Sequence, residues 1–330
     1  MKYRQLGTSE LNVPVVMFGG WAIGGLWWGG ADDENALAAI REALELGINC
    51  IDTAPAYGFG HSEKLIAEAV KGRRTEVIIA TKCGLRWDLE EGDLFFEATD
   101  NTGKHVKVYR NLRHASVLEE CNRSLKRLKT DYIDLYQCHW PDPSTGLDET
   151  LDALLELQKA GKVRAVGVSN FSPEMMETCR ERVALASDQP RYSLLSRDTE
   201  KEVLPYCRSR NVGLIAYSPL EHGLLTGKFS ADQELRHGEG RAQQPWFRME
   251  NRRRALTAIN TVRPIAQELG MTVAQLAINW IISQPGVTSA IVGARNPRQV
   301  QENARTAEFT MSHQQLAFIR REFETLAEPT

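Results

Sequence analysis

Two side chains capable of acid–base chemistry, Asp52 and Tyr57, follow the buried strand predicted at residues 48–51. Pro55 and Gly58, which favour turns, indicate that the strand has ended before Tyr57. A tyrosine has an unperturbed pKa of about 10, so it donates a proton near neutral pH only where a cation stabilises its phenolate. Another segment of the chain must supply that cation.

Lys82 and His139 are the further candidates, because each follows another predicted strand directly. We expect Lys82 to pair with Asp52 at the ends of adjacent strands and to lower the pKa of Tyr57. Taken singly, Asp52 could be a cap, Lys82 a surface ion-pair partner and His139 a structural histidine. Together the four side chains could protonate an oxygen on which negative charge develops, as in a carbonyl that accepts hydride. There is no nucleophile elbow and no HExxH motif. Because the four side chains supply only the proton, we expect a nicotinamide cofactor to supply the hydride.

Eight predicted strands alternate with helices along the chain, and this alternation indicates a parallel sheet. The strands are expected at residues 15–18, 48–51, 77–81, 132–138, 163–168, 185–189, 212–216 and 289–292. The helices are expected at residues 33–46, 62–70, 115–128, 149–160, 173–182, 199–210, 252–269, 273–283 and 297–305. Eight such units in 330 residues favour an α/β fold of the closed (β/α)8 TIM-barrel type over an open sheet.

The predicted barrel spans about residues 15–305 and has an additional element at each end. An N-terminal β-hairpin at about residues 3–14 precedes it, and an amphipathic C-terminal helix at about residues 312–325 follows it. No change in composition marks a second domain, so we expect residues 1–330 to form a single domain. The polar stretch at residues 89–107 is predicted to be a long loop.

Composition argues against several classes of function. The formal net charge of −3 provides no field that would gather nucleic acid or anionic lipid. The six cysteines form no C-x-x-C pair and no zinc-binding spacing, so no metal site is expected. The N-terminus lacks the apolar core of a signal peptide, and no run reaches the roughly 18 apolar residues of a membrane span, so we expect a cytoplasmic protein. A monomer and a homo-oligomer are both compatible with this composition.

Six stretches of the chain, in this order, resemble segments of the aldo-keto reductase superfamily. They are Asp52 to Tyr57, Ala80-Thr81-Lys82, Asp134 to Pro141, Gly167 to Phe171, Tyr217 to Leu220 and Gly293-Ala294-Arg295. The similarity runs from about Leu6 to Asn303 and looks nearest to the bacterial sugar- and inositol-linked members. It implies a (β/α)8 barrel that binds NADP(H) or, less often, NAD(H) in an extended form.

The resemblance also implies a role for each of the four candidates. Asp52, Tyr57, Lys82 and His139 would be catalytic, with Tyr57 as the acid for carbonyl reduction and the base for alcohol oxidation. Lys82 and Asp52 would tune Tyr57, and His139 would orient the carbonyl.

Further residues are implied to bind the cofactor. Ser169, Asn170 and Gln189 would hydrogen-bond the nicotinamide carboxamide, and Tyr217 would stack on its ring. The other expected cofactor contacts are Gly20, Trp21, Asp52, Ser218, Pro219, Leu220, Gly223, Leu224, Lys228, Gly293, Arg295, Gln299, Glu302 and Asn303. The guanidinium of Arg295 could hold a 2′-phosphate, which favours NADP(H), or it could equally stack on adenine.

Five of the seven tryptophans, at positions 21, 27, 28, 87 and 140, follow the first, third and fourth predicted strands. They either pack the loops or form a flat aromatic wall, which would suit a sugar or an aromatic aldehyde. The expected substrate contacts are Trp21, Tyr57, Trp87, His139 and Trp140. We expect an aldehyde or ketone, sugar-like, polyol-like or aromatic, as the small-molecule partner.

Two other functions remain open at this point. A regulatory subunit, like the potassium-channel β subunits of the same fold, would bind the nucleotide with little turnover. A Schiff-base lyase would use Lys82 as its nucleophile, although a neighbouring Asp52 would keep that lysine charged.

Overall fold

The computed structural model describes residues 1–25, 30, 32–100, 102–235, 240–326 and 329. Thirteen strands are formed within these residues: β1 (Tyr3–Gln5), β2 (Asn12–Pro14), β3 (Val16–Gly19), β4 (Cys50–Asp52), β5 (Ile78–Cys83), β6 (Leu85–Arg86), β7 (Asp93–Thr99), β8 (His105–Arg110), β9 (Ile133–Cys138), β10 (Val163–Ser169), β11 (Leu185–Gln189), β12 (Gly213–Ala216) and β13 (Val287–Gly293).

Ten α-helices are formed within the described residues. They are α1 (Asp33–Glu45), α2 (His61–Ala69), α3 (His114–Leu128), α4 (Leu147–Lys159), α5 (Pro173–Arg180), α6 (Val203–Arg210), α7 (Met249–Glu268), α8 (Val273–Ile282), α9 (Pro297–Arg305) and α10 (His313–Glu324). No helix among them is long and apolar enough to cross a lipid bilayer.

The eight parallel strands β3, β4, β5, β9, β10, β11, β12 and β13 pair in this order and close into a barrel. The ladder between β13 and β3 completes the closure, with Ala290 opposite Val16 and Gly293 opposite Gly19. The prediction of a (β/α)8 barrel with an N-terminal hairpin and an additional C-terminal helix is confirmed.

Two apolar layers hold the barrel together. Side chains that point inward form one cluster, which includes Met17, Leu135 and Ile215. The hairpin of β1 and β2 contributes Leu6 and Val13 to the same interior cluster, so it closes one end of the barrel. A larger cluster fills the space between the strands and the surrounding helices.

The predicted helix at residues 199–210 is shorter in the structure, where α6 begins only at Val203. Pro205 lies in its first turn, and its ring would clash with the carbonyl of residue 201 if the helix extended further back. A short 3-10 turn at Asp198–Glu200 occupies the preceding segment instead.

The prediction of a long loop at residues 89–107 is wrong. β7 and β8 form an antiparallel hairpin there, and β6 pairs with the other side of β8. Val106 and Val108 alternate with exposed residues along β8, which is the period of a half-buried strand. We call residues 85–110 the flap.

Candidate active site

On each of three neighbouring strands, one inward side chain is apolar and the inward side chain two residues later is polar. The apolar side chains Cys50, Ala80 and Leu135 lie in the interior cluster, and the polar ones that follow are Asp52, Lys82 and Gln137. Because side chains alternate across a strand, residues two apart share a face. We call this set, together with Gln189 of β11, the polar layer.

Lys82 uses its ammonium group fully within this layer. Its Nζ donates to Asp52 Oδ1 at 2.6 Å, to the carbonyl of Thr53 at 2.9 Å and to Tyr57 Oη at 3.2 Å. Burial alone would lower the pKa of Lys82, but the charges and hydrogen bonds of Asp52 and Tyr57 together raise it. Lys82 is therefore an ammonium ion, and the predicted pairing with Asp52 is present.

The prediction that the pKa of Tyr57 is lowered is wrong for the protein without cofactor and substrate. Burial raises this pKa, and the charge of Asp52 adds to the increase. Lys82 acts in the opposite direction, as expected, but does not outweigh them. The phenol is thus fully protonated at neutral pH, and Lys82 limits the cost of forming the phenolate.

His139 lies beside Tyr57 at the end of β9, with its ring edge-on at 5.7 Å between the ring centroids. Burial, followed by the positive charge of Lys82, lowers the pKa of His139 well below its ordinary value. The imidazole is neutral at neutral pH. It can therefore donate or accept a hydrogen bond without adding a charge to the site.

The second oxygen of Asp52 is held by two amides. Gln189 Nε2 donates to Asp52 Oδ2 at 2.8 Å, and Gln137 Nε2 donates to the same atom at 3.4 Å. Gln137 was missed from the sequence. The signal that could have identified it is a polar residue on the strand face that otherwise carries Ile133 and Leu135, two residues before His139.

The expected carboxamide contacts lie together at the ends of β10, β11 and β12. Tyr217 Oη donates to Asn170 Oδ1 at 3.0 Å, and Asn170 Nδ2 donates to the carbonyl of His139 at 3.3 Å. Ser169 Oγ donates to the carbonyl of Gln189 at 2.7 Å. Asn170 has a positive φ of 62°, which asparagine tolerates better than most residues. These contacts fix the orientation of the Asn170 amide.

The segment after β12 has an unusual backbone. Ser218, Glu221 and His222 have φ values of 54°, 44° and 52°, in the left-handed region. Glu221 is buried and pairs with Arg191, and Ser193 Oγ donates to it at 2.5 Å. Strained conformations of this kind persist only where the surroundings hold them, and they cluster at functional sites.

The other residues expected along this segment differ in exposure. Pro219 and Leu224 are buried, Leu220 is half-buried, and the half-buried Gly223 has a φ of 96°. Lys228 is exposed, and its Nζ lies 3.5 Å from Glu302 Oε2 on α9. Leu224 has no exposed surface, so it offers a ligand no contact in this structure.

The residues expected at the adenosine end gather around the end of β13. The amide N–H of Arg295 donates to Gln299 Oε1 at 2.7 Å, and Asn303 Nδ2 donates to the carbonyl of Gly293 at 3.4 Å. Glu302 Oε1 is buried without a hydrogen-bond partner among the described residues. Gly293 is exposed, and a Cβ there would meet nothing closer than 3.7 Å.

The remaining two expected cofactor contacts follow β3. A Cβ on Gly20 would lie 2.7 Å from Ser62 Oγ and 2.8 Å from the carbonyl of Asp52, so tight packing accounts for this glycine. Trp21 is half-buried and packs edge-on against His222, with 5.4 Å between the ring centroids. This contact joins the segments that follow β3 and β12.

Trp87 and Trp140 belong to an aromatic cluster that lies against the site. The ring of Trp140 packs on Phe95 at 5.3 Å and that of Trp87 on Phe59 at 5.2 Å. Ala56, which precedes Tyr57, lies in the same cluster. Neither phenylalanine was predicted from the sequence. Phe95 was missed because it lies in the flap, which was predicted to be a loop. Trp27 and Trp28 lie outside the described residues.

The chemistry of these groups fits a nicotinamide cofactor. Amides and hydroxyls suited to a carboxamide lie beside the phenol of Tyr57, and the flat ring of Tyr217 adjoins them. The open space at Gly293 admits a close approach to the backbone, and the unpartnered oxygen of Glu302 offers an acceptor further along. Within the described part of the chain, no three His, Cys, Asp or Glu side chains could hold a metal ion together.

Polar groups gathered at the carboxyl ends of the strands are typical of (β/α)8-barrel enzymes. The chain matches the aldo/keto reductase family over residues 15–322. It is 39% identical to the aldo-keto reductase YhdN of Bacillus subtilis, over 100% of this chain and 96% of that one. It is 37% identical to the NADH-specific methylglyoxal reductase of Escherichia coli, over 99% of each chain.

A solved structure, the glycerol dehydrogenase of Gluconobacter oxydans, has a TM-score of 0.86 and 38% identity, covering 99% of this chain and 98% of that one. The chain therefore belongs to the aldo/keto reductase family. The resemblance noted from the sequence is confirmed, and the class is that of the NAD(P)-dependent oxidoreductases.

Proposed function

We propose that the protein interconverts a small carbonyl compound and its alcohol, with Tyr57 as the proton donor in reduction. The observation that carries this proposal is the set of hydrogen bonds that Lys82 Nζ makes to Asp52 Oδ1 and Tyr57 Oη inside a buried polar layer. A nicotinamide held by Asn170, Gln189 and Tyr217 would supply the hydride for the carbonyl carbon. Tyr57 Oη gives its proton to the carbonyl oxygen, and Lys82 stabilises the phenolate that remains.

His139 has a separate role in this proposal. Its neutral imidazole adjoins Tyr57 and can donate a hydrogen bond to the carbonyl oxygen, which orients the carbonyl towards the phenol. The charged state of Lys82 argues against the alternative of Schiff-base chemistry, because an ammonium ion is not a nucleophile.

The substrate we propose is a small, polar aldehyde or ketone of sugar or polyol type. Relatives of nearly equal length are named a methylglyoxal reductase and a glycerol dehydrogenase, and both named compounds are small and polar. Trp87, Trp140 and Phe95 present flat rings, on which the C–H faces of a sugar or an aromatic aldehyde could pack. For the cofactor we propose NADP(H), because the guanidinium of Arg295 can pair with a 2′-phosphate.

Tryptophan fluorescence titration with NADPH and NADH, followed by turnover with aldoses, keto sugars, methylglyoxal and aromatic aldehydes, tests the proposal. We expect tight binding of NADPH and turnover of small polar carbonyls. Tight binding without turnover across the panel would instead favour a regulatory, cofactor-binding role.

The Tyr57→Phe variant tests the proton donor. We expect kcat for reduction to fall by about 10²- to 10⁴-fold, the usual contribution of a positioned general acid. Cofactor affinity in the same titration should hardly change, because only the phenolic hydroxyl is removed. Turnover close to that of the wild type would disprove the assignment of Tyr57.

A further inference from the structure

The polar layer contains one side chain that the proposed reaction leaves without a role. Gln137 is fully buried on β9 and is the register partner of Lys82 on β5. Leu135, two residues earlier on the same inward face, packs in the apolar interior. A leucine at position 137 would fill similar space, so packing alone does not explain an amide there.

The amide of Gln137 contacts both Asp52 and Gln189. Its Nε2 donates to Asp52 Oδ2 at 3.4 Å, and its Oε1 accepts from Gln189 Nε2 at 3.3 Å. Gln189 Nε2 also donates to Asp52 Oδ2 at 2.8 Å. The amino group of Gln189 thus faces two acceptors. An amide has two N–H donors on its nitrogen, and both are used here.

This arrangement selects one orientation of the Gln189 amide. If it rotated by 180°, its carbonyl oxygen would face the carboxylate of Asp52 and the oxygen of Gln137. Gln189 Oε1 and Gln137 Oε1 would then lack a donor there, and Asp52 Oδ2 would keep only the longer bond from Gln137 Nε2. Unpaired polar groups are costly in a buried site. The nitrogen of Gln189 therefore faces Asp52, and its Oε1 faces away from it.

We propose that Gln137 is a positioning residue that fixes the Gln189 amide and the Asp52 carboxylate in one hydrogen-bonded unit. Gln189 Oε1 is thereby presented to the N–H of the nicotinamide carboxamide, while Asp52 keeps its alignment with Lys82 and Tyr57. This inference rests on the proposed function, in which Gln189 holds the carboxamide and Tyr57 donates the proton.

A buried ion pair gives a physical reason for such a unit. Two charges removed from water are stabilised only where their remaining lone pairs are also hydrogen-bonded. Lys82 satisfies Asp52 Oδ1, and the two glutamines satisfy Oδ2. Hydrogen bonds to a charged group are stronger than neutral ones. Removal of the Gln137 amide should therefore change the position of the Asp52 carboxylate, and with it the alignment of Lys82 and Tyr57.

The first experiment compares pH profiles of kcat for Gln137→Met and Gln137→Glu. Gln137→Met keeps the volume but loses the donor and the acceptor, so we expect kcat to fall about 10- to 100-fold at every pH. In Gln137→Glu, a protonated carboxyl can donate to Asp52 and accept from Gln189. We expect activity at low pH and its loss as that carboxyl ionises beside Asp52, a step that the wild type lacks.

Leu135→Met is the matched control, because it changes a neighbouring inward side chain that is not part of the polar layer. Its pH profile should match that of the wild type. If Gln137→Met fails to fold, the additional ionisation step of Gln137→Glu decides the question. Wild-type kcat and pH profile in Gln137→Glu would overturn the inference.

The second experiment measures the orientation of Gln189 by cofactor binding, without turnover. The probe is the reduced 3-acetylpyridine analogue of the cofactor, in which a methyl group replaces the carboxamide NH2. The wild type should bind it about 10-fold more weakly than the natural cofactor, and Gln137→Met should reduce this difference. An unchanged difference in Gln137→Met, or none in the wild type, would overturn the inference.

The two failures are distinguishable. Full activity of Tyr57→Phe would end the proposed function, but it would not alter the analogue result, which needs no proton transfer. If Tyr57→Phe is inactive and both Gln137 experiments give wild-type values, only the inference about Gln137 fails.

Discussion

Lys82 has no uncommitted donor, because Asp52, the carbonyl of Thr53 and Tyr57 take its three N–H bonds. A lysine held in this way is a fixed positive charge. Its location 4.9 Å from the centroid of the Tyr57 ring stabilises negative charge that develops on the phenol. Asp52 keeps the ammonium in place and offsets its charge.

The Lys82→Met variant should lose both activity and stability. It leaves Asp52 as a buried charge without a counterion, which costs about 3–5 kcal/mol. Reduction should fall at least as far as in Tyr57→Phe, because the phenolate loses its neighbouring charge. Denaturant unfolding and kcat measure the two effects.

The double variant Asp52→Asn with Lys82→Met separates these effects. It removes both charges, so we expect the free energy of unfolding to recover much of the loss while activity stays absent. Recovery of turnover in the double variant would show that the ion pair is only structural.

Arg295→Ala tests the cofactor preference. We expect the affinity for NADPH to fall by about 1–3 kcal/mol, the scale of a charge-assisted hydrogen bond, with little change for NADH. Parallel fluorescence titrations with the two nucleotides give the answer. Equal losses would place Arg295 against the adenine ring that both nucleotides share.

At the scale of elements, the flap contributes Phe95 to the aromatic cluster beside Tyr57 and His139. Phe95 packs on Trp140, which directly follows His139, and the guanidinium of Arg110 lies 5.0 Å from the Phe95 ring on the same hairpin. Arg110 also pairs with Asp93 within this hairpin. We therefore expect changes in this hairpin to affect substrate binding without altering the polar layer.

Phe95→Ala should raise KM for the carbonyl roughly 10-fold, because an aromatic side chain contributes about 1.5–3 kcal/mol through burial and part of that would be lost. Cofactor affinity should not change. Leu94→Ala is the control, because Leu94 is 50% exposed on the adjacent position of the same strand. Equal effects of the two variants would mean that the whole hairpin has loosened.

The sequence predicts the barrel strands and helices, but it misses β7, β8 and the pKa of Tyr57 for physical reasons. A barrel strand such as β4 is a short apolar run that ends in a polar residue, so both the strand and its end can be predicted from the sequence. β7 and β8 carry charged residues on their exposed face, and this composition concealed their alternation. The pKa of Tyr57 depends on a balance between burial and two charges, and burial is set by tertiary packing.

At the scale of the whole molecule, Asp188 is a buried carboxyl group that the proposed reaction does not use. Its Oδ1 accepts from the Phe171 amide at 3.5 Å, and its Oδ2 has no hydrogen-bond partner in the described part of the chain. Burial raises the pKa of Asp188 to about 8. The carboxyl is therefore mostly protonated in the folded protein at neutral pH.

Asp188 should make stability depend on pH. An unfolded aspartate has a pKa of about 3.9, so between about pH 4 and pH 8 the folded state binds more protons than the unfolded state. Stability contributed by this group is full below pH 4 and falls as the pH rises towards 8. At about 1.4 kcal/mol per unit of pKa shift, the loss is at most about 6 kcal/mol.

Asp188→Asn should remove this loss, so we expect the variant to match the wild type near pH 4 and to exceed it at pH 8. Denaturant midpoints at the two pH values measure the difference. Asp198→Asn is the control, since that side chain is 76% exposed and should change stability by less than about 0.5 kcal/mol. If Asp188→Asn and the wild type lost the same stability between the two pH values, Asp188 would not be the group responsible.

The ladder between β3 and β13 has a consequence for biosynthesis. β3 ends at Gly19, whereas its partner β13 begins only at Val287, so nearly the whole chain must leave the ribosome before the barrel can close. Until then β3 presents an open edge, and unpaired strand edges promote association between chains. A nascent or truncated chain that ends before β13 should therefore aggregate or require a chaperone, even though Asp52, Lys82, Gln137 and Gln189 have all been synthesised.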